Sequence, residues 1–168
     1  QDGFLTRHLI ESTRIAEPEV ILEFLGDPAD IIDTPTPAQR LTFGEKRRRI
    51  PELFSVDYPA MLGTVQNQDS YAQGIAAQRP FYFDHVADLT DQAMTEWGDL
   101  TGRYYSRASG YRLEDAEYVM AGQGSVVPNL EVVADYLREN EGMKVGVMNI
   151  TMFRPFPADL ITGMLAGK

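Results

Sequence analysis

Residues 117–125, with the sequence EYVMAGQGS, decide the fold of the C-terminal third of this chain. The apolar first half of the stretch ends in a glycine-rich turn, as buried strands often do. Three apolar residues at helical spacing follow the turn, Leu130, Val133 and Leu137, and Pro128 suits the first turn of a helix. The stretch therefore predicts a strand, a tight turn and a helix in that order.

The same alternation continues towards the C-terminus. We predict strands at 117–121 and 144–153, with a helix at 129–140 between them and a second helix at 158–166. A strand, a crossover helix and a second strand normally form a parallel pair with right-handed connection. The predicted fold class is α/β, with an incomplete parallel sheet in β-α-β-α order, because two strands do not complete a sheet.

The N-terminal two thirds of the chain favour helices and loops over strands. Helical spacing predicts short helices at 17–24 and 70–78, and a polar hinge follows at 106–114. Prolines at 26–40 predict a connecting segment, and we expect a loop at 59–69. The expected architecture is thus a mostly helical and loop segment followed by the sheet.

The longest predicted helix covers 84–105. Apolar residues recur along it at spacings of three or four and form one stripe: Val86, Leu89, Ala93, Trp97, Leu100 and Tyr104. We expect Trp97 to be largely buried and Ser125, further along the chain, to cap the helix after the glycine turn. Gly98 is expected to mark a close backbone approach or a weakened final turn.

Composition excludes several classes of protein. The net charge of -10 disfavours nucleic-acid binding, and the basic run 46–49 predicts a solvated face or a salt-bridged helix end. The chain has no cysteine, which excludes disulfides, thiolate zinc sites and iron–sulfur ligation by these residues. The sequence has no apolar run of membrane-span length, so we expect no membrane association and a cytoplasmic location.

The turn at Gly122–Ser125 allows two interpretations. It lies between a strand and a helix, where backbone N–H groups can bind an anion. The dinucleotide fingerprint is incomplete, however, because Val127 stands where a third small residue is needed. The alternative is that the glycines only permit a tight turn. We find no combination of nucleophile and base in the sequence.

Four segments carry a resemblance to a known family. They are, in chain order, 2–8, 63–74 with the sequence GTVQNQDSYAQG, 99–105 and 152–156. In this order they resemble the pyruvate:ferredoxin (flavodoxin) oxidoreductases. Those enzymes decarboxylate a 2-oxoacid on thiamine diphosphate, form an acyl-coenzyme A and pass electrons through iron–sulfur clusters to ferredoxin or flavodoxin.

The resemblance implies a domain organisation. Residues 1–106 would be the end of the pyrimidine-binding domain, and 107–168 the first half of the transketolase C-terminal-like domain. We expect Gln1 and Lys168 to lie within a longer polypeptide, whose other domains are the partners of this fragment and which forms a homodimer. The thiamine diphosphate, magnesium and iron–sulfur clusters of the family would be bound by those other parts, with no cofactor held by this fragment.

The resemblance assigns no catalytic, cofactor-binding or metal-binding residue to the fragment. Five positions belong to family motifs and have an unproven role: Thr64, Gln66, Asn67, Asp69 and Arg154. We expect Gln66, Asn67 and Asp69 to fix a loop against a neighbouring domain and Arg154 to form an interdomain or intersubunit ion pair. The predicted function is a structural scaffold within the oxidoreductase. The alternatives are an α/β module that binds an anionic ligand at Gly122–Ser125 and a stand-alone regulatory protein.

Overall fold

The structure, a computed structural model, describes residues 14–50, 56–57 and 67–167, without the side chains of Phe81 and Tyr82. The chain divides into two compact units. One unit is Ala16–Leu89, and the other is built from Thr90 onwards. The division falls within a single helix.

The first unit combines short helices with a two-stranded antiparallel ribbon, in which Ile32 lies opposite Arg47. Its elements in chain order are α1 (Pro18–Leu25), β1 (Ile31–Asp33), α2 (Pro37–Phe43), β2 (Lys46–Arg48), α3 (Gln68–Gln78), a π-helical turn (Arg79–Phe83) and the start of α4 (Asp84–Thr101). The helix predicted at 17–24 is confirmed by α1, and the one at 70–78 by α3. The loop predicted at 59–69 is wrong at its last two residues, which begin α3, and its first eight lie outside the described residues.

The predicted connecting segment 26–40 is wrong in part, because it contains β1 and the start of α2. Pro37 begins this helix at a position where its missing N–H needs no partner. Thr36 caps the helix, since its Oγ1 accepts a hydrogen bond from the backbone N of Gln39 at 3.2 Å. Proline here starts a helix, whereas the sequence pattern was interpreted as extended backbone.

The basic run 46–49 does not lie at a helix end, which was one of the two predicted alternatives. Lys46–Arg48 is strand β2, and Lys46 Nζ lies 3.5 Å from Asp33 Oδ1 on β1. Lys46 and Arg48 are exposed, which confirms the alternative of a solvated face.

Helix α4 ends at Thr101, four residues before the predicted end. Gly102 stops it by adopting a φ of +70°, which glycine reaches without strain. Tyr104 therefore lies outside the apolar stripe and is 68% exposed. Trp97 is partly buried, with the Arg103 guanidinium 5.0 Å from its ring centroid, and the expectation that most of its side chain is buried stays a prediction. The close approach predicted at Gly98 is confirmed, because a Cβ there would overlap the Tyr104 ring.

The second unit contains a three-stranded mixed sheet in the order β3-β5-β4. Its elements are β3 (Ala108–Tyr111), β4 (Tyr118–Gly122), a 3-10 turn (Gly124–Val126), α5 (Val127–Glu141), β5 (Val145–Ile150) and α6 (Ala158–Leu165). The predicted parallel pair is confirmed by β4 and β5. The prediction of an incomplete parallel sheet did not include β3, which lies within the predicted polar hinge 106–114 and pairs antiparallel to β5, so the sheet is mixed.

Two helices cover opposite faces of this sheet. The α5 face buries Val127, Ala134, Val145 and Val147. The α6 face buries Ala108, Met148 and Ile161. β5 is central and buried over its first four residues, so it is the strand around which both hydrophobic clusters form. The α/β fold class is confirmed.

Candidate functional site

The candidate site lies at the carboxyl ends of the parallel strands β4 and β5. Gly122, the last residue of β4, is the register partner of Asn149 on β5. The chain leaves β4 towards α5 on one face and leaves β5 towards α6 on the other. In α/β sheets, ligands bind in the crevice where neighbouring connections diverge in this way. The topology therefore favours a ligand site at the carboxyl ends of β4 and β5.

Packing and backbone conformation explain the two glycines of the turn. A Cβ at Gly122 would lie 2.7 Å from Leu130 Cδ1 and 3.3 Å from Val127 Cγ2, so glycine lets α5 approach the end of β4. Gly124 has a φ of +77°, a conformation that other residues rarely adopt. Neither glycine requires a phosphate to account for it.

Ser125 does not cap α5, and that expectation is wrong. The residue at the N-cap position is Val126, and no side chain caps the helix. Ser125 Oγ is buried without a hydrogen-bond partner in the described residues. The intervening 3-10 turn moves Ser125 one residue too far from the helix to cap it. Pro128 lies in the first turn of α5 as predicted.

The other side of the crevice is formed by the segment after β5. Asn149 Nδ2 donates to Thr151 Oγ1 at 3.3 Å. Arg154 is exposed, and the nearby side chains of Phe153 and Phe156 are exposed aromatic rings whose centroids are 6.3 Å apart in an edge-to-face arrangement. An exposed arginine next to exposed aromatic residues suits contact with another protein surface that offers a carboxylate.

Arg107 anchors this segment and was not singled out from the sequence. Its Nε donates to both carboxylate oxygens of Asp91 on α4, at 2.9 and 3.0 Å, and its Nη2 lies 3.7 Å from Asp159 on α6. Its carbonyl accepts hydrogen bonds from the N–H groups of Thr151 and Met152, each at 3.0 Å. Arg107 thus joins α4, α6 and the chain after β5. Its partners are 16 to 52 residues distant in sequence, and no local pattern indicates them.

The groups with perturbed pKa values lie in ion pairs and hydrogen bonds outside the crevice. The hydrogen bond from Arg138 lowers the pKa of Asp115, and the hydrogen bond to Glu117 raises the pKa of Lys144. The hydrogen bond to Asp99 raises the pKa of Tyr104. Each shift has a structural partner and identifies no acid or base at the carboxyl ends of the strands.

The family-motif positions fall in two places. Asn67 and Asp69 are exposed at the start of α3, and Asn67 makes no side-chain cap. Thr64 and Gln66 lie outside the described residues. Arg154 belongs to the other compact unit. Within the described part of the chain, no cluster of three histidine, aspartate or glutamate residues could hold a metal ion. No helix of the described segments is long and apolar enough to cross a bilayer.

Comparison with known proteins shows which family this chain resembles. Residues 116–168 match the model of pyruvate:ferredoxin oxidoreductase core domain II. Over 99% of its length the chain is 30% identical to the pyruvate synthase subunit PorA of Thermotoga maritima. The chain is therefore similar to proteins of the pyruvate:ferredoxin oxidoreductase family along nearly its whole length, and the family model covers its last third. The matched family domain includes β4, β5 and the crevice between their connections.

Two further relatives are pyruvate oxidoreductases from other organisms. The chain is 33% identical over 92% of its length to the pyruvate-flavodoxin oxidoreductase of Klebsiella pneumoniae. It is 32% identical over 94% of its length to the pyruvate:ferredoxin oxidoreductase of Moorella thermoacetica. The chain spans 37% of the Thermotoga protein and 12% of each of the other two. The family resemblance drawn from the motifs is confirmed, and the division into domains at 106/107 stays a prediction.

Proposed function

We propose that this chain is a structural scaffold within a thiamine diphosphate-dependent 2-oxoacid:ferredoxin or flavodoxin oxidoreductase. That enzyme converts a 2-oxoacid and coenzyme A into acyl-coenzyme A and carbon dioxide, and two electrons pass through iron–sulfur clusters to the acceptor protein. The similarity to PorA along 99% of the chain is the observation that carries the proposal. In it, 1–106 ends the pyrimidine-binding domain and 107–168 begins the transketolase C-terminal-like domain.

The residues of this chain do not fit the family's cofactors. Iron–sulfur clusters need cysteine thiolates, and the sequence has none. The motif that binds magnesium and the diphosphate in this family has no counterpart that we identify in this sequence. We therefore place thiamine diphosphate, magnesium and the clusters in other domains or subunits of a cytoplasmic homodimer. The role of this chain is to position those parts.

The family-motif residues suit such a role. Asn67 and Asp69 begin a helix that buries none of its residues in the described unit, so a neighbouring domain can contact its surface. Arg154 is exposed and is flanked in sequence by the exposed aromatic residues Phe153 and Phe156. We propose that Arg154 binds a carboxylate across a domain or subunit boundary and that Thr64, Gln66, Asn67 and Asp69 fix the loop against the adjoining domain.

The chain alone should be inactive. It would be assayed with pyruvate, coenzyme A, thiamine diphosphate, magnesium and methyl viologen, with the Moorella thermoacetica enzyme as positive control. We expect no dye reduction above buffer and no thiamine diphosphate binding by calorimetry. Turnover by the chain alone would refute the scaffold role, because it would require catalytic groups that these residues do not supply.

The gene distinguishes the scaffold from a stand-alone regulatory protein. We expect the reading frame to continue beyond the codons for Gln1 and Lys168, or adjacent genes to encode the missing domains. A start codon and a stop codon flanking these residues, with no neighbouring oxidoreductase gene, would favour the regulatory protein.

One observation keeps anion binding at Gly122–Ser125 as a second candidate. Ser125 Oγ is buried and without a partner in the described residues, at the edge of the sheet where connections diverge. Titration with inorganic phosphate, followed by the amide chemical shifts of residues 124–127, tests this candidate. Saturable shifts that Ser125→Ala weakens would support it, and unchanged shifts would leave the scaffold as the sole function.

A further inference from the structure

The motif β1-α2-β2 contains polar side chains that are buried without partners. Thr34 and Gln39 are both 0% exposed. The hydroxyl of Thr34 and both the nitrogen and the oxygen of the Gln39 side-chain amide have no hydrogen-bond partner among the described residues. Buried polar groups in folded proteins are nearly always hydrogen-bonded, to protein or to ordered water.

Strand register brings a third polar group to the same side of the ribbon. Thr34 follows β1 and its N–H donates to the carbonyl of Glu45 at 2.9 Å, while Ile32 lies opposite Arg47. Alternate residues of a strand share a face, so Thr34 and Arg47 are diagonal neighbours on one face. Arg47 Nε is buried and unpaired in the described residues, although its Nη1 donates to the carbonyls of Arg48 and Arg49.

Helix α2 places Gln39 against this ribbon. The helix packs on β2, and Arg40 Nε donates to the carbonyl of Thr34 at 2.7 Å, which ties the helix to the end of β1. Thr36 and Gln39 have the spacing of a capping box, in which each side chain bonds the backbone N–H of the other. Only the bond to Thr36 Oγ1 is formed. The Gln39 amide is therefore directed to the buried side and does not complete the box.

The mixture of donors and acceptors identifies the ligand chemistry. The Gln39 amide nitrogen and Arg47 Nε can only donate, the Gln39 amide oxygen can only accept, and the Thr34 hydroxyl can do both. A metal cation cannot satisfy the two donors, and an anion cannot satisfy the amide oxygen. Water donates and accepts, and it occupies polar sites that offer two to four partners. We propose that one or more ordered water molecules bind between Thr34, Gln39 and Arg47 and are part of the fold of this motif.

Stability measurements separate a hydrated site from a dry one. In a dry site, Thr34→Val and Gln39→Met replace unpaired polar groups by apolar ones of similar shape, which is neutral or stabilising. In a hydrated site, each substitution removes a partner of the bound water, and we expect each to lower the melting midpoint by about 2 to 4 °C. The double variant should lose less than the sum of the two, because both act through the same water. Gln73→Met, at an exposed position of α3, is the control for the amide substitution and should leave the midpoint unchanged.

A direct test uses the unmodified chain. Nuclear Overhauser effects between water and the Gln39 side-chain amide protons, with the sign of a long-lived bound water, are expected. Their absence would overturn the proposal, and so would an unchanged or higher melting midpoint in Thr34→Val and Gln39→Met. Because the spectra need no variant, the proposal is decided even if a substitution prevents folding. The test does not depend on the proposed function.

Discussion

Replacing Gly122 by alanine tests why the turn after β4 contains glycine. The new methyl group would lie 2.7 Å from Leu130 Cδ1, 3.3 Å from Val127 Cγ2 and 3.4 Å from Val126 Cγ1. Ordinary carbon contacts begin near 3.5 Å, so the first contact is a clash and the other two are tight. The three neighbours belong to α5 and to the turn that precedes it, so the helix must move away from the strand or its side chains must leave their preferred rotamers.

The magnitude follows from two opposing effects. Inserting one carbon into a packed contact costs about 1 to 3 kcal/mol. Removing glycine restricts the unfolded chain and stabilises the protein by about 0.4 to 1 kcal/mol where the backbone conformation permits. Gly122 does not have a positive φ, so the second effect applies in full. We expect a net loss of about 1 to 2 kcal/mol in the free energy of unfolding.

Gly163→Ala is the matched control. Gly163 lies inside α6 in the same compact unit, and a Cβ there meets no atom within 4 Å. It should stabilise the protein by about 0.5 to 1 kcal/mol, because glycine in a helix costs that much relative to alanine. Urea unfolding followed by circular dichroism measures both variants. If Gly122→Ala is as stable as Gly163→Ala, packing does not explain the glycine. Ligand binding at the turn would then be the favoured explanation.

Three other predictions concern stability, pH and association. Trp97→Ala should lower the free energy of unfolding, measured in urea, by less than roughly 3 kcal/mol, because Trp97 is only partly buried. That value is the lower end of the range for a fully buried aromatic residue, and a loss of roughly 4 kcal/mol or more would contradict the prediction. The pKa of Asp115 is lowered by Arg138, so its stabilising effect is present above the unfolded pKa of about 3.9 and lost as the pH falls through the folded value. The difference in urea midpoint between the wild type and Asp115→Asn should therefore be largest at neutral pH and disappear in acid, and a constant difference would argue against it. β4 pairs only with β5 among the described strands, so we expect self-association through its other edge; Ala121→Lys should reduce it in light scattering, and a monomeric wild type at high concentration would show that the edge is already covered.

The local sequence pattern was sufficient to predict the helices and strands that are determined by residues close together in sequence. Strands β4 and β5 are rich in apolar residues, and the helix between them has regular spacing with a proline in its first turn. Their parallel pairing follows from chain connectivity alone. The close approach at Gly98 was also predictable, since glycine within an otherwise regular helix indicates a neighbour that leaves no room for a side chain.

The missed elements depend on contacts between distant residues. β3 contains Ser109 and Gly110, which are poor strand formers, and it exists because it pairs with β5, about 40 residues later. The Arg107–Asp91 contact joins residues 16 positions apart, a separation that is also too long for a local pattern to indicate. At α2 the error was different, because Pro37 can equally end an extended segment or begin a helix, and the pattern did not distinguish these roles. The family-motif positions came from resemblance alone; the structure shows Asn67 and Arg154 exposed, and their role stays a prediction.

The central position of β5 implies unequal protection of backbone amides against hydrogen exchange. Its N–H and C=O groups bond to β3 on one side and β4 on the other, and both hydrophobic clusters cover its faces. Exchange in this strand requires opening of the whole sheet. In α3, where no residue is buried, exchange needs only local fraying. Among the described residues, we therefore expect the slowest exchange in a six-residue strand, and a partner that covers α3 would slow exchange first in the helix that carries Asp69.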